Sequence, residues 1–143
     1  MIDPARRSPH APVMLYLAVA AGSLLGGTAR WLASEVLHAW LGAGFPWGTL
    51  FVNISGSFLI GWYAAVSAPF GRTAAKPIQR HFVMTGICGG YTTFSIFSLE
   101  TVRLLENGNH GLALINVSVS TAGWLLAVWA GFALATRLTR PSG

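Results

Sequence analysis

One stretch of this sequence, residues 85–100, combines residue types that can bind ions. It reads TGICGGYTTFSIFSLE and contains three glycines within five positions, followed by several hydroxyl side chains. Because glycine in a helix interior costs about 1 kcal/mol relative to alanine, this spacing predicts that no continuous helix runs through residues 85–93. At membrane depth, irregular backbone is tolerated only where protein covers it or where it lines a watery cavity. The predicted interruption is therefore a candidate ion site.

The second half of the same stretch carries two aromatic rings and a carboxylate. Phe94 and Phe97 are three residues apart and share one helix face, while Ser95 and Ser98 share a neighbouring face. Such an aromatic pair is most often simple packing. Glu100 lies in the same apolar segment, and an ionisable residue inside a membrane is a functional candidate unless it lies close enough to the surface to be hydrated.

A polar stripe occurs earlier in the chain, where Asn53, Gly56, Ser57 and Gly61 fall at i, i+3, i+4 and i+8. This is the spacing of one helix face. The carboxamide of Asn53 has two N–H donors that can bind an anion. Taken alone, the stripe more simply indicates a hydrogen bond between helices.

A second polar stripe lies near the C terminus, where Asn116 and Ser120 stack at i and i+4. Gly123 and Gly131 give the same segment a close-packing edge, because small residues let membrane helices approach one another.

The N-terminal apolar segment contains Gly22, Gly26 and Arg30 at intervals of four residues, which places them on one helix face. This face is expected to pack against protein. Arg30 either extends to the lipid headgroups or donates hydrogen bonds to protein carbonyls, and the sequence does not decide between these two.

Membrane-spanning helices must position these residues. The chain has 143 residues, of which 53% are hydrophobic and only 9% charged, whereas a soluble domain carries about 25% charged residues. Spans of about 20 apolar residues fit at 13–32, 48–68, 82–105 and 112–136, and 34–45 is predicted to be a short connection. We therefore predict a flexible tail at 1–12, a four-helix domain at 13–138 and a second tail at 139–143.

The single cysteine, Cys88, excludes an intrachain disulfide and a cysteine-rich metal site. We interpret it as a small buried packing residue.

The net charge of +5 does not indicate nucleic-acid binding, because the cations lie in tails and at helix ends rather than on one face. With four spans, seven of the nine cations fall on the side that holds both termini: Arg6, Arg7, Arg72, Lys76, Arg80, Arg137 and Arg140. Only Arg30 and Arg103 fall towards the other side. The positive-inside rule then predicts that both termini are cytoplasmic.

Three motifs together resemble the CrcB/Fluc family of small fluoride channels: GGTARW, GTLFVNISGSFLIG and GICGGYTTFSIFSLE. The resemblance extends over about residues 16–138. It implies an all-α integral protein of the inner (plasma) membrane, with four transmembrane helices, a broken third helix and an antiparallel dimer. It also implies passive export of fluoride through two pores along the dimer interface, with a structural sodium ion at the dimer centre.

The resemblance also implies roles for individual residues. Backbone carbonyls of Gly89 and Thr92 would bind the sodium ion, and Arg30 matches the first-span arginine of the family. We place Arg30 and Glu100 in structural or vestibule roles, because a bare arginine would bind a passing anion and hold it. Phe94 and Phe97 would line the pores by their ring edges, and Asn53 and Ser120 would donate hydrogen bonds to fluoride. The remaining side chains placed on the fluoride pathway are Thr93, Ser95 and Asn116.

Two features depart from the family pattern. The family often has tyrosine at the position of Asn116, and hydroxyl residues where this chain has Trp124 and Val128. The seven-to-two distribution of cations is also more biased than expected of a chain that inserts in both orientations. The partner is therefore either a second copy of this chain or a homologue of opposite bias.

The physical chemistry of the residues agrees with an anion pathway. A pore for strongly hydrated fluoride must replace water with close hydrogen-bond donors, which asparagine and hydroxyl side chains supply. The positive edges of aromatic rings attract an anion only weakly, and weak attraction permits conduction. Carbonyl oxygens freed by a helix break suit a small cation.

Other classes of protein fit the sequence less well. A small drug/proton antiporter has about this length, but its chemistry needs a carboxylate in the first span, where 13–32 offers only Arg30. A membrane enzyme would have to rely on the loose pairing of Cys88 with His81. A non-transporting membrane subunit remains open, because every polar stripe could be contact between helices.

The charge distribution gives a direct prediction of topology. Labelling each terminus with a reagent that does not cross membranes should leave both termini protected in intact cells. Labelling of a terminus in part of the population would contradict this prediction and would show insertion in both orientations.

Overall fold

The computed structural model of the chain describes residues 11–68 and 75–139. These residues are helical apart from short turns, and four segments are long and apolar enough to cross a membrane: Pro12–Leu41, Trp47–Val66, Pro77–Glu106 and His110–Thr139. This confirms the prediction of an all-helical, multi-pass membrane protein with four spans. Most of the predicted tails at 1–12 and 139–143 lies outside the described residues.

Helix α1, Ala11–Leu41, is longer than predicted. The expected connection at 34–45 is wrong, because residues 33–41 contain no glycine or proline and continue the helix to Leu41. Gly42 ends it with a positive φ of 76° and donates its N–H to the carbonyl oxygen of His38 at 2.9 Å. The longer helix brings Glu35 into the first span, so this span does contain a carboxylate near one end.

Helix α2, Trp47–Val66, packs along helix α6, His110–Thr139. A glycine on each helix permits this close contact with the backbone of the other. A Cβ atom on Gly61 would collide with the carbonyl oxygen of Val128, and one on Gly131 would collide with that of Phe58. The predicted close-packing edge on the fourth span is confirmed at Gly131, and it fixes α2 against α6.

The third span is made of several segments. Helix α3, Pro77–Arg80, continues into a π-helix, His81–Cys88, and then into the short α4, Gly89–Tyr91. Thr92 is extended, with φ −86° and ψ 160°. Helix α5 then runs over Ser95–Glu106.

The prediction that residues 85–93 cannot form a continuous helix is wrong for residues 85–91, which are all helical. The glycines in this segment instead let α1 approach the third span. A Cβ atom on Gly86 would lie 2.9 Å from the Cα of Gly22, and one on Gly90 would lie 2.6 Å from the carbonyl oxygen of Ser23. Contacts between the two backbones thus offset the low helix propensity of glycine.

Two adjacent glycines of α1 allow a matched test of this packing. A Cβ atom on Gly26 would collide with the carbonyl oxygen of Ile87 and lie 2.8 Å from the Tyr91 nitrogen, whereas one on Gly27 meets nothing within 4 Å. Since overpacking costs about 1–3 kcal/mol, Gly26→Ala should lower the melting temperature of the purified protein in detergent. Gly27→Ala should leave it unchanged or raise it. Equal melting temperatures for the two variants would show that α1 does not pack on the third span in this way.

Candidate functional site

The backbone at Thr93, between α4 and α5, is held by the side chain of Asn53. The Nδ2 atom of Asn53 donates to the carbonyl oxygen of Thr93 at 2.7 Å, and the N–H of Thr93 donates to Oδ1 of Asn53 at 2.7 Å. In a continuous helix that N–H would donate to the carbonyl oxygen of Gly89, four residues earlier. One buried asparagine on α2 therefore compensates for backbone hydrogen bonds that are lost where the helix stops.

The sequence left two interpretations of Asn53, an anion donor and a hydrogen bond between helices, and this pairing bears on both. The side chain does form the expected hydrogen bond between helices, through Oδ1 and one N–H. Because the carboxamide nitrogen carries two hydrogens, one donor remains for a ligand.

The hydroxyl group of Thr93 stabilises the start of α5. Its Oγ1 accepts a hydrogen bond from the N–H of Ile96 at 3.2 Å, and it lies 3.3 Å from the Oγ of Ser95. The first N–H groups of a helix have no partner within the helix, so this contact satisfies one of them. Thr93 and Ser95 thus lie together at the start of α5.

Arg30 contacts the same interruption from α1. Its Nη1 donates to the carbonyl oxygen of Thr92 at 3.2 Å. Of the two possibilities left by the sequence, the structure therefore favours hydrogen bonding to protein over extension to the headgroups. Thr92 itself donates from its N–H and from its hydroxyl to the carbonyl oxygen of Cys88, at 3.0 and 2.9 Å. Cys88 is buried, as expected of a packing residue.

Three aromatic rings form a cluster beside the interruption. The ring centroids of Phe94 and Phe97 are 5.6 Å apart, and Phe97 meets Trp124 of α6 edge-on at 4.8 Å and 77°. Phe97 is only 7% exposed, whereas Phe94 is 71% exposed. Within one chain, the Phe94 ring therefore projects from the middle of the third span without protein cover.

A chain of hydrogen bonds connects α5 to α6 behind Phe97. The hydroxyl of Thr101 donates to the carbonyl oxygen of Phe97 at 2.8 Å and accepts from Nδ2 of Asn116 at 2.9 Å. Ser120 donates to Oδ1 of Asn116 at 3.3 Å. The predicted stacking of Asn116 and Ser120 is confirmed. Sequence reasoning missed Thr101, although its position four residues after Phe97 places it on the same helix face.

An open cavity of about 390 Å³ lies between α2, the third span and α6. Most of its lining is apolar, with a few polar groups, as is usual for ligand sites. It brings together Asn53, Gly89, Thr92, Thr93 and Phe94 from the predicted set. The other lining residues are Gly56, Ser57, Ile60, Cys88 and Trp124. Ser95, Phe97, Asn116 and Ser120 do not line it.

Glu100 lies away from this central cavity. It lines a separate cavity of about 280 Å³ together with Glu35 and His38 of α1 and Thr49 of α2. Among the described residues, its Oε2 atom is buried and has no hydrogen-bond partner. The carboxylates of this region thus lie near one end of the helices, and the central cavity contains none.

Comparison with known proteins assigns this architecture to a family. The family model described as "CrcB-like protein, Camphor Resistance (CrcB)" matches residues 17–132. The chain belongs to the CrcB family. The matched residues include the second and third spans, most of the first and fourth, and every residue of the central cavity.

Several CrcB relatives have informative names. The chain is 58% identical to Fluoride-specific ion channel FluC 1 of Rhodopseudomonas palustris (strain BisB18), over 90% of this chain and 92% of that protein. It is 51% identical to FluC 1 of Bradyrhizobium diazoefficiens, over 89% and 88% of the two chains. It is 47% identical to FluC of Opitutus terrae, over 90% and 98%. These names describe ion channels rather than enzymes, in agreement with the prediction that the chain is not an enzyme.

The pairing of Asn53 with Thr93 can be tested by amide hydrogen exchange. Asn53→Ala removes both 2.7 Å hydrogen bonds, and a buried unsatisfied group costs about 1–3 kcal/mol. Because 1.4 kcal/mol corresponds to a factor of ten, the Thr93 amide should exchange faster by a factor of about 5 to 100. Asn116→Ala is the matched control, since the hydrogen bonds of the Asn116 side chain go to other side chains and not to backbone. Unchanged exchange at Thr93 in Asn53→Ala would contradict the pairing.

Proposed function

We propose that this chain is a fluoride-selective channel of the plasma membrane, through which cytoplasmic fluoride leaves the cell passively. The observation that carries the proposal is the 58% identity, over nearly the whole chain, to a protein named a fluoride-specific ion channel. The central cavity supports it, because it combines the remaining N–H of Asn53 with the projecting Phe94 ring and contains no carboxylate.

The chemistry of the cavity suits a small anion. Fluoride gives up its hydration water only where hydrogen-bond donors replace it, and Asn53 offers an N–H that Thr93 does not use. The positive ring edge of Phe94 adds weak attraction. An ion must be able to leave as well as enter, so this weak site serves conduction better than a fully charged one.

We further propose that two chains assemble antiparallel and form two pores at their interface. One chain leaves the central cavity open and leaves Phe94 71% exposed. In one chain alone, protein would surround neither an anion without its hydration water nor the Phe94 ring. A second chain across this face would close the cavity. Ser95, Phe97, Asn116 and Ser120 do not line the cavity of one chain, and their place on the pathway stays a prediction. The partner is a second copy of this chain or a homologue of opposite charge bias.

A structural sodium ion at the centre of that dimer is part of the same proposal. The Thr93 N–H is directed to Asn53 and leaves the carbonyl oxygen of Gly89 without its helical donor. The carbonyl oxygen of Thr92 accepts from Arg30 and keeps a second lone pair. Both are hard oxygens of the kind that small cations prefer, and two chains would supply four of them. When bound, the cation would make the local potential more favourable for anions.

The proposal is tested by measuring ion efflux from liposomes that contain the purified protein. Fluoride should leave rapidly and chloride should not. Absence of fluoride efflux, or chloride efflux at the same rate, would refute the channel assignment.

The role of Phe94 can be separated from general disruption by a matched pair of variants. Phe94→Ile removes the aromatic edge, and we expect fluoride efflux to fall at least about tenfold while the dimer remains intact on size-exclusion chromatography. Phe51→Ile makes the same change at a half-exposed phenylalanine of α2 that does not line the central cavity. That control should conduct as the unaltered protein does. Equal fluoride efflux in both variants would show that Phe94 is not part of the fluoride pathway.

A further inference from the structure

The indole of Trp124 has a hydrogen-bond donor that the described protein does not use. Its Nε1 atom is buried and has no hydrogen-bond partner among residues 11–68 and 75–139. By contrast, the buried amide and hydroxyl groups nearby are paired: Asn53 with Thr93, and Asn116 with Thr101 and Ser120. A buried N–H without a hydrogen bond costs about 1–3 kcal/mol. Buried donors in proteins therefore normally have a partner.

Trp124 is placed where an anion donor would be useful. It lines the central cavity together with Asn53 and Phe94. Its ring meets Phe97 edge-on at 4.8 Å, and it meets Phe94 at 6.5 Å and 68°. On α6 it lies four residues, about one helical turn, after Ser120. It therefore belongs both to the aromatic cluster and to the lining of the cavity.

We propose that the Nε1–H of Trp124 donates a hydrogen bond to the anion in the central cavity. This inference rests on the proposed function, because it assumes that the cavity conducts fluoride. An indole N–H is a donor only, so it can serve an anion and cannot hold a cation. Hydrogen bonds to a charged partner are about twice as strong as neutral ones, and this donor lies out of contact with bulk water.

Because Nε1 is buried, an anion reaches it only if a neighbouring side chain moves. The proposal assigns this movement to Phe94, whose ring lies 6.5 Å from that of Trp124 and is 71% exposed. An anion that reaches Nε1 replaces one water molecule of its hydration shell with the indole N–H. Asn53 lines the same cavity from α2 and carries a further donor.

A purely structural role for Trp124 is the competing explanation. The edge-on contact with Phe97 would then be a weak N–H to ring interaction, which contributes to packing only. The two explanations differ in what fluoride does to the N–H and in what happens when the N–H alone is removed.

The first experiment observes the donor directly. The full-length protein is labelled with ¹⁵N at tryptophan and placed in lipid nanodiscs, and the indole N–H resonances are recorded during titration with sodium fluoride. The Trp124 resonance is assigned by its loss in Trp124→Phe. It should shift with fluoride and remain in place with equal sodium chloride. Trp129, which is 67% exposed on the same helix, is the internal control. A fluoride-induced shift at Trp124 no larger than that at Trp129 would overturn the inference.

The second experiment measures transport. Trp124→Phe keeps an aromatic ring and removes the N–H, and it should reduce fluoride efflux from liposomes at least about tenfold. Trp129→Phe should leave efflux unchanged. If the unaltered protein conducts fluoride and Trp124→Phe conducts equally well, this inference fails while the proposed function stands. If the unaltered protein does not conduct fluoride, the proposed function itself fails. Should Trp124→Phe not fold, the titration of the unaltered protein, with the resonance assigned by Trp124→Tyr, decides the question.

Discussion

The paired hydrogen bonds between Asn53 and the backbone of Thr93 are the constraint on which the rest of this site depends. They let helical structure stop at Tyr91 and resume at Ser95 inside an apolar span, where unsatisfied backbone groups would cost several kcal/mol each. The position of α2 must therefore be fixed closely, and glycine contacts with α6 fix it. On the other side, glycine contacts hold α1 against the π-helix and α4, and from there Arg30 reaches the carbonyl oxygen of Thr92.

This arrangement keeps the carboxylates away from the centre of the span. The carboxylates Glu35 and Glu100 share a cavity near one end of the helices, while the central cavity offers single donors and ring edges. The proposed conduction needs a site of this kind, which attracts an anion without holding it. Membership of the CrcB family, with relatives named as fluoride-specific channels, agrees with this chemistry.

Some of this could be predicted from the sequence, because it depends on local pattern. Four apolar segments predicted four spans, and spacing alone placed Phe94 near Phe97 and Asn116 near Ser120. Other features depend on contacts that no local pattern records. Residues 85–91 are helical despite their glycines, because two of them, Gly86 and Gly90, face the α1 backbone. Asn53 binds backbone forty positions away, and the unpaired donor of Trp124 appears only when its surroundings are known.

The central claim is that the chain forms a pathway selective for fluoride, and the reversal potential across a planar bilayer tests it most directly. Purified protein is placed in the bilayer, with fluoride on one side and an equal concentration of chloride on the other. This account predicts a reversal potential far from zero, with the sign expected when fluoride is the permeant anion. A reversal potential near zero, meaning equal permeability to both anions, would contradict the account, and so would the lack of any fluoride current.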